Sequence, residues 1–479
     1  MTHKTLSRAL LIIGAGPAGL TAGVEACRNG WEVTVLEADR QVGGLAKTVV
    51  HDGNAFDIGG HRFFTKYPEV EAWWREILGA DLLTVRRQSR IFYRGKFFDY
   101  PLRAANALRS LGPISSLLIA GSYGWARIHP RRPELTFEDW VSNRFGRRLF
   151  QTFFKTYSEK VWGIPCDQLS ADWAAQRIKS LSLTKAIADA LGFGRGSVTT
   201  LIEQFFYPKR GPGMMWERAQ ERITAAGGRV LLQHRVLEIA TDSGGFVVRA
   251  STAESTKTTF AADAVISSMA LPDLVRSLKP VAPNSVQQAA NALNYRDFLT
   301  VQVVVNRQNI FTDNWIYLHD PIVKAGRLQN FGNWSKAMVA TAGTSCLGLE
   351  YFCQAGDQLW QKSEADLVAL AKHELELLGL VKAEEITRGW VTREPKAYPR
   401  YDGNYQTHVQ TIAQYLSSIK NLWTVGRNGM HHYNNQDHSM LTAMLAVKNL
   451  SGEAHNLWAV NVDDEYHEIK PAAKQQHGR

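Results

Sequence analysis

The feature that most constrains this chain is a glycine-rich turn between two apolar runs near its beginning. The first run, Ala9–Ile13, leads directly into Gly14-Ala15-Gly16-Pro17-Ala18-Gly19. A helical stretch then reaches Asn29, the second apolar run covers Glu32–Leu36, and Glu37 follows 18 residues after the last glycine of the turn. This order of strand, turn, helix, strand and acid predicts a βαβ unit that binds a dinucleotide.

The three glycines and the acid have separate physical roles in such a unit. Gly14 permits the tight turn, Gly16 allows the backbone to approach a pyrophosphate, and Gly19 lets the helix pack closely on the strand. The amides at the start of the helix face the phosphates, and the carboxylate of Glu37 can accept hydrogen bonds from a ribose diol. A simple glycine-rich turn has the same pattern, but the flanking strands and the acid favour the dinucleotide site.

The composition restricts the class of protein but not its partner. The chain has 479 residues, of which 45% are hydrophobic and 21% charged, as in a globular protein of two or three domains. Its formal net charge of +10 suits an anionic small molecule, a membrane face or a nucleic acid. The basic pairs are scattered and form no recognisable nucleic-acid module, so a solvated surface is the better interpretation and no nucleic-acid partner is expected.

The sequence predicts a cytoplasmic protein without metal. No apolar run is long enough to span a bilayer, because the best candidate, residues 111–128, is interrupted by glycines and a proline. The first residues, MTHKTLSR, lead into a strand without the apolar segment of a secretory signal. The four cysteines lack metal-ligand spacing, and the histidine-rich segment 431–438 has no accompanying set of carboxylates.

A second glycine pair decides which dinucleotide is expected. Gly43-Gly44 follows soon after Glu37, and Phe56-Asp57-Ile58-Gly59-Gly60-His61 comes next. NAD dehydrogenases have no need of these glycines, because their cofactor ends near the first helix. A larger cofactor, whose ring system continues along the sheet, needs further close approaches of the backbone, which glycine permits.

These segments resemble the FAD-binding region of the UDP-galactopyranose mutases, especially the eukaryotic type. That family belongs to the wider clan of amine oxidases, protoporphyrinogen oxidases and phytoene desaturases. The resemblance continues in Gly426-Arg427-Asn428-Gly429 and in Tyr433-Asn434-Asn435-Gln436-Asp437-His438-Ser439, which are similar to the mutase segment that closes over the flavin. Oxidases of the clan usually carry an acid where Arg427 stands. Between these ends, further motifs occur in the family's order: Tyr100-Pro101-Leu102, Lys160-Val161-Trp162, Tyr207-Pro208, Trp315-Ile316-Tyr317 and Tyr398-Pro399.

The resemblance implies an FAD-dependent enzyme that acts on an activated sugar. In the mutases the reduced flavin reacts through its N5 atom, so the reduced form is expected to be active and an external reductant such as NAD(P)H is implied. The residues that the resemblance and the glycine pattern assign to the cofactor are Gly14, Gly16, Gly19, Glu37, Gly43, Gly44, Leu45, Gly59, Gly60, His61, Val236, Gly426, Arg427, Asn435 and Gln436.

The same resemblance points to catalytic and substrate residues. His61 lies on the loop that faces the flavin in the family, and Arg177 corresponds to an arginine of the diphosphate site; these two are the candidate catalytic residues. The candidate substrate residues are Tyr100, Arg103, Trp162, Arg177, Tyr317, Tyr398 and Tyr433. Arginine offers a planar fork of charged donors, and a tyrosine hydroxyl offers one directed donor without adding charge.

Departures from the mutase pattern predict a different substrate. Arg103 replaces a glutamine that helps to hold the uracil, and Ser158 replaces an asparagine near the family tryptophan. The arginine expected just before the Trp-x-Tyr element has no certain counterpart, and Arg307 is the nearest. The expected substrate is therefore another nucleotide sugar or a sugar on a polyprenyl phosphate. The alternative is an oxidoreductase of the protoporphyrinogen oxidase, amine oxidase or desaturase type.

The resemblance predicts an α/β fold with a discontinuous Rossmann-type FAD-binding domain, a helical insertion and a substrate domain with a mixed or antiparallel sheet. The predicted segments are 1–65, 205–290 and 390–455 for the cofactor, 66–204 and 291–389 for the substrate, and 456–479 as a tail. Within them, residues 62–200 are expected to be mainly helical. The apolar stretch 102–128, followed by Arg131 and Arg132, could rest on an anionic membrane face, but a helix pair buried in the substrate domain is the commoner arrangement.

Overall fold

The computed structural model describes residues 8–100, 111–171, 203–242, 244–401 and 403–461. Two of the candidate site residues, Arg103 and Arg177, lie outside the described residues.

The apolar runs that flank the glycine turn lie at the centre of a five-stranded parallel sheet. The spatial order of its strands is Leu422–Thr424, Ala264–Ser267, Ala9–Ile13, Glu32–Leu36 and Arg229–Leu231. Every neighbouring pair is parallel. All five strands are predicted by the sequence, because a parallel sheet covered on both faces reads as short and continuous apolar runs.

The two faces of this sheet are covered by different elements. On one face, Leu10 and Ile12 pack with three helices, which are Pro17–Arg28, Gly213–Ala225 and Gln436–Leu450. On the other face, Leu11 and Ile13 pack with an antiparallel layer. Its strands are Arg235–Asp242, Gly245–Ser251 and Lys257–Ala262, with the short strand Leu278–Lys279 beside the first. The layered α/β class is therefore confirmed.

A separate seven-stranded sheet forms the second half of the molecule. Its spatial order is Ile386–Pro399, Tyr295–Val305, Ser345–Cys353, Arg327–Asn330, Trp315–Leu318, Ser89–Tyr93 and Lys96–Asp99. All neighbours are antiparallel except the parallel pair of Trp315–Leu318 with Ser89–Tyr93. The sheet is thus mixed, as expected. The domain boundaries stay a prediction, although residues 390–399, which it assigns to the cofactor domain, hydrogen-bond within this sheet.

The expectation of a mainly helical segment 62–200 is correct in part. The described helices there are Pro68–Leu78, Pro113–Ile128, Phe137–Phe145, Arg147–Leu149, the π-helical Phe150–Lys155 and Thr156–Trp162. It is wrong for residues 82–99, which form the three strands Leu82–Arg86, Ser89–Tyr93 and Lys96–Asp99. Ser89–Tyr93 pairs on one side with Trp315–Leu318, far along the chain, which no local pattern reveals. On the other side it forms a local hairpin with Lys96–Asp99 through the two-residue turn Arg94-Gly95.

Shorter elements connect the sheets. They are the hairpin Thr48–His51 with Asn54–Asp57, the strand Gln204–Pro208, the helices Leu271–Ser277, Asn284–Ala292, Phe331–Trp334, Glu364–Leu377, Tyr405–Ser417 and Gly426–Gly429, and the 3₁₀ turns Gly44–Ala46, Gly79–Asp81, Lys336–Met338, Ala383–Glu385 and Leu457–Ala459. Residues 206–208, expected in a loop, belong to Gln204–Pro208, which pairs with Leu82–Arg86.

Helix Pro113–Ile128 differs from its expected environment. Ile119 is its one buried residue, and Ile114, Leu117, Leu118, Trp125 and Ile128 are exposed, so the expectation of a buried helix pair is wrong for this helix. The first part of that stretch, residues 102–110, lies outside the described residues. Across the described ranges, no helix combines the length and the hydropathy needed to cross a membrane.

Candidate functional site

The first glycine turn and Glu37 share one edge of the parallel sheet. Gly14 has a φ of +96°, and a Cβ on Gly19 would lie 1.8 Å from the carbonyl oxygen of Gly14. These positions therefore require glycine. The Glu37 carboxylate accepts hydrogen bonds from the backbone N–H groups of Ala15 (2.6 Å) and Asp39 (2.8 Å). The acid is thus held beside the turn and the start of helix Pro17–Arg28, as a dinucleotide site requires.

The second glycine pair lies directly against the first turn. Gly43 and Gly44 have φ values of +104° and +51°, and a Cβ on Gly44 would lie 3.1 Å from the Cα of Gly16. The N–H of Gly43 donates to the carbonyl of Ala15 at 2.8 Å. Leu45 follows and packs with an apolar cluster on the seven-stranded sheet. Glycine residues without side chains therefore line the space between the parallel sheet and the second sheet, where a long cofactor could lie.

The carboxyl-terminal segment closes the same edge. Gly426 has a φ of +82°, its N–H donates to Thr442 Oγ1 at 3.0 Å, and a Cβ there would lie 3.0 Å from the Cβ of Ala18. Asn435 caps helix Gln436–Leu450. Within the part of the chain that the structure describes, Oε1 of Gln436 is buried without a hydrogen-bond partner. A buried amide oxygen of this kind suits a ligand that brings a donor.

Val236 lies close to the acid at this edge. Its strand follows His234, whose N–H donates to the carbonyl of Glu37 at 2.7 Å. The predicted cofactor residues on the parallel sheet are therefore brought together, and they fit a dinucleotide: two glycine turns, helix amides, the acid and the amide of Gln436.

The Gly59-Gly60-His61 loop rests on the seven-stranded sheet. The hydroxyl of Thr300 donates to the carbonyl of Ile58 at 2.6 Å, and the N–H of Gly60 donates to the carboxylate of Glu350. A Cβ on Gly60 would lie 2.9 Å from Nε2 of Gln329. The loop therefore connects the glycine-lined edge to the centre of the second sheet.

The imidazole of His61 is uncharged at neutral pH. Its desolvation, followed by the positive charges of Arg427 and Arg327, lowers the pKa of the imidazole to about 3. Both guanidinium groups thus act on one histidine, so the carboxyl-terminal segment and the seven-stranded sheet both lie close to it. A neutral imidazole can donate one hydrogen bond and accept another.

We expect the His61 imidazole to remain neutral between about pH 5 and 8, because its folded pKa lies well below the ordinary value of about 6.5. NMR of histidine ring carbons, with the signal assigned by its loss in His61→Gln, should show no titration there. In the unfolded chain this histidine takes up a proton below about pH 6.5, so acid should destabilise the wild type relative to His61→Gln by about 1.4 kcal/mol per pH unit between about pH 6.5 and 3. A midpoint near neutrality would contradict this placement of the two arginines.

Two predicted tyrosines stack beside Arg427. The rings of Tyr398 and Tyr433 are 5.7 Å apart between centroids and are nearly parallel. The Arg427 guanidinium lies 4.7 Å from the Tyr433 ring centroid and 5.5 Å from that of Tyr398. Burial raises the pKa of Tyr398 to about 12, although Arg327 opposes the shift. This hydroxyl therefore stays protonated at neutral pH and is available as a donor.

The other predicted aromatic residues lie in the adjoining apolar cluster. Tyr100 and Tyr317 have ring centroids 4.7 Å apart. Trp162 is buried in the cluster that Tyr100, Tyr317 and Tyr433 pack against. The structure therefore brings together all the candidate aromatic residues, which come from five separate segments of the chain.

Arg327 is a site residue that the sequence did not reveal. It lies directly opposite Tyr317 on one neighbouring strand and opposite Glu350 on the other. Its guanidinium forms an ion pair with Glu350 (Nε to Oε2, 2.5 Å) and donates to the Tyr398 hydroxyl at 3.1 Å. The adjacent carboxylate raises the pKa of Arg327 despite its burial. Its position follows from strand register alone, so a search for an arginine just before Tyr317 could not find it.

Arg307, the nearest arginine in the sequence, lies elsewhere. It forms an ion pair with Glu385 (Nε to Oε1, 3.1 Å) and donates to the carbonyl of Leu380. It is therefore at a partly exposed end of the sheet, away from the tyrosines, and the suggested correspondence is wrong.

Tyr157 is a further member of the cluster that the sequence did not indicate. Its ring stacks on His319 at 4.7 Å and meets Tyr317 edge-on at 5.6 Å. Burial raises the pKa of the Tyr157 phenol, and burial together with Lys160 lowers that of His319 to about 3. Lys160 itself donates to the carbonyls of Leu318, Asp320 and Ala325, which holds the loop that joins Tyr317 to Arg327.

The chain is similar to plant desaturases in sequence. It is 26% identical over 260 residues to the zeta-carotene desaturase of Arabidopsis thaliana, covering 48% of this chain and 44% of the relative. It is 25% identical over 292 residues to the 15-cis-phytoene desaturase of the same plant, covering 55% of this chain and 49% of the relative. The chain thus spans about half the length of the curated relatives that it matches.

Solved structures and a family model cover more of the chain. A reduced UDP-galactopyranose mutase superposes with a TM-score of 0.82 at 20% identity, over 97% of this chain and 100% of the other. A structure described as a putative protoporphyrinogen oxidase from Exiguobacterium sp. 255-15 gives 0.69 at 18% identity, over 93% and 98%. Both show a shared fold. The family model of flavin containing amine oxidoreductases matches residues 17–393, so the chain belongs to that family and is an FAD-dependent flavoenzyme.

Proposed function

We propose that this flavoenzyme acts on an activated sugar that carries a phosphate or diphosphate, at the cluster formed by His61, Arg327, Arg427 and the tyrosines. The substrate would bind between the Gly59-Gly60-His61 loop and the seven-stranded sheet. Reduced FAD would supply the electron-rich ring that reacts with the sugar. The remaining steps assigned to this chain are binding, orientation and the exclusion of water.

The observation that carries the proposal is the set of donors around His61. Arg327 and Arg427 both act on this residue, and Tyr398 contacts both guanidinium groups. Charge-assisted hydrogen bonds to a phosphate are worth about 1.5–3 kcal/mol each. The carboxylate of Glu350 faces Arg327 as an ion-pair partner. A donor-rich and cationic site suits an anion and disfavours a protonated amine.

The tyrosines would direct the leaving phosphate. Tyr398 keeps its proton because of its raised pKa, and Tyr317 and Tyr433 lie beside the two arginines. A phenol donates one directed hydrogen bond without adding charge. The tyrosines can therefore donate hydrogen bonds to the leaving phosphate as its negative charge develops. Arg177 remains a candidate for the same role, and Arg103 a candidate substrate residue, from their places in the sequence. The departures at Arg103 and Ser158 favour a leaving group other than UDP.

The second candidate is a net oxidation of the desaturase or protoporphyrinogen oxidase type. It is favoured by the sequence similarity to the two plant desaturases. Such an enzyme would take hydride from an apolar substrate, for which two arginines near His61 offer no evident use. The two candidates differ in whether turnover needs reduced or oxidised flavin.

The test compares the two redox states of the purified holoenzyme. We expect the dithionite-reduced enzyme to convert an activated hexose, supplied as a nucleoside diphosphate sugar or as a polyprenyl phosphate sugar, and the oxidised enzyme to be inactive. Borohydride treatment in the presence of the sugar, followed by mass spectrometry of the released flavin, should show a mass increase. Turnover of the oxidised enzyme with stoichiometric hydrogen peroxide would favour the oxidase instead.

A further inference from the structure

Helix Pro113–Ile128 turns its apolar side away from the rest of the described chain. The exposed fractions of its large apolar residues are 76% for Ile114, 75% for Leu117, 44% for Leu118, 66% for Trp125 and 73% for Ile128. At 100° per residue, these five side chains fall within an arc of about 100° on the helix surface. They form one continuous stripe, called here the apolar stripe.

The opposite side of the helix buries one large apolar residue, Ile119, in the cluster that contains Trp140. The hydroxyl of Ser122 accepts a hydrogen bond from the N–H of Arg148 at 3.1 Å. A Cβ on Gly146 would lie 2.8 Å from the backbone nitrogen of Tyr123, so the helix meets its neighbour through backbone. A surface helix normally turns most of its large apolar residues inward, whereas this helix buries Ile119 and exposes the five residues of the stripe. An exposed apolar surface of this kind is typical of a site that binds a membrane or another protein.

Two arginines share a depression with residues of the apolar stripe, and two more lie near the end of the helix. Leu117, Leu118, Gly121, Ser122, Arg147, Arg148 and Gln151 line a depression of about 530 Å³. Arg127 and Arg132 lie at the carboxyl end of the helix, and both are exposed. None of these four arginines forms an ion pair with another residue in the described ranges. The surface therefore combines apolar side chains with positive charges that are available to an anionic partner.

We propose that this face binds the surface of an anionic phospholipid bilayer. The apolar stripe would enter the boundary between headgroups and acyl chains, and the four arginines would contact the lipid phosphates. A second copy of the chain fits less well, because a two-fold contact would bring the arginines of both copies together. The proposal goes beyond the proposed chemistry and holds for any substrate of the flavin site.

The test is flotation of the FAD-containing protein with lipid vesicles. We expect binding to vesicles of phosphatidylcholine mixed with phosphatidylglycerol, weaker binding to phosphatidylcholine alone, and loss of binding at high salt. The variant Leu117→Ser/Trp125→Ser should weaken binding by at least roughly tenfold, since both side chains are mostly exposed in the free protein. The matched control Val281→Ser/Ile322→Ser removes two exposed apolar residues elsewhere and should bind as the wild type does.

A second pair of variants tests the charges. Arg147→Gln/Arg148→Gln should reduce binding to the anionic vesicles, and Arg210→Gln/Arg388→Gln should not. Flavin absorbance, measured on every fraction, separates this result from any failure of the sugar chemistry. Failure of the wild type to float, or equal flotation of the stripe variant, would overturn the proposal. A dimer in light scattering that the stripe variant dissociates, without vesicle binding, would assign the face to self-association instead.

Discussion

Gly19→Ala is expected to give a chain that retains no FAD. The new Cβ would lie 1.8 Å from the carbonyl oxygen of Gly14, so helix Pro17–Arg28 must move away from the first strand. That shift displaces the amides that face the cofactor phosphates and overpacks the core, at a cost of roughly 1–3 kcal/mol or more. The ratio of flavin to protein absorbance measures the first effect, and thermal unfolding measures the second.

Two further glycine variants separate cofactor loss from misfolding. A Cβ on Gly16 would meet no protein atom closer than 3.7 Å, so Gly16→Ala should fold normally and still bind FAD more weakly, by roughly tenfold or more. Gly124→Ala lies in an open part of helix Pro113–Ile128 and should change neither property. If Gly16→Ala and Gly124→Ala held FAD equally well, the pyrophosphate would not pass the first turn.

Arg327→Met is expected to lower kcat/KM on the activated sugar by roughly 100-fold or more. The substitution removes charge-assisted donors to the phosphate and the donor to the Tyr398 hydroxyl. It also leaves the buried carboxylate of Glu350 without its ion-pair partner, which destabilises a folded protein by about 3–5 kcal/mol. Steady-state kinetics of the reduced enzyme and its thermal unfolding are the two measurements.

The double variant Arg327→Met/Glu350→Gln distinguishes the two effects. It removes both charges, so it should recover much of the lost stability without recovering activity. Arg307→Met is the matched control, because it removes a half-exposed arginine that precedes the same hairpin. Recovery of activity in the double variant would mean that Arg327 only neutralises Glu350 and has no contact with substrate.

The cofactor edge could be predicted because its signals are local. The turn from Gly14 to Gly19, the strands on either side of it and Glu37 lie within 29 residues, from Ala9 to Glu37. Each residue there follows from backbone geometry or from a single polar contact. The structure places these groups as the pattern requires, and the glycine pair Gly43-Gly44 adds the close approach expected of a larger cofactor.

The substrate side could be predicted only in part. Resemblance pointed to Tyr317, Tyr398 and Tyr433, which the structure brings together. The position of Arg327 in the site could not be predicted from the sequence, because an arginine within a strand carries no motif. Its neighbours are set by the register of three strands. Within residues 82–99, the pairings of Leu82–Arg86 with Gln204–Pro208 and of Ser89–Tyr93 with Trp315–Leu318 depend on distant segments. The hairpin of Ser89–Tyr93 with Lys96–Asp99 is local, and its Arg94-Gly95 turn is a signal that the sequence does carry.

By itself, the sequence determined the parallel α/β sheet, its glycine-lined edge and the choice of a large dinucleotide. Those features depend on φ angles, on short apolar runs and on one acid, all of which are encoded within a few neighbouring residues. Only the tertiary structure decided that Arg327 and Arg427 both act on His61 and that the apolar stripe of helix Pro113–Ile128 faces outward. The charge around a residue and the exposure of a helix face depend on which distant elements pack together. That packing is determined by many residues spread along the chain, so no short segment predicts it.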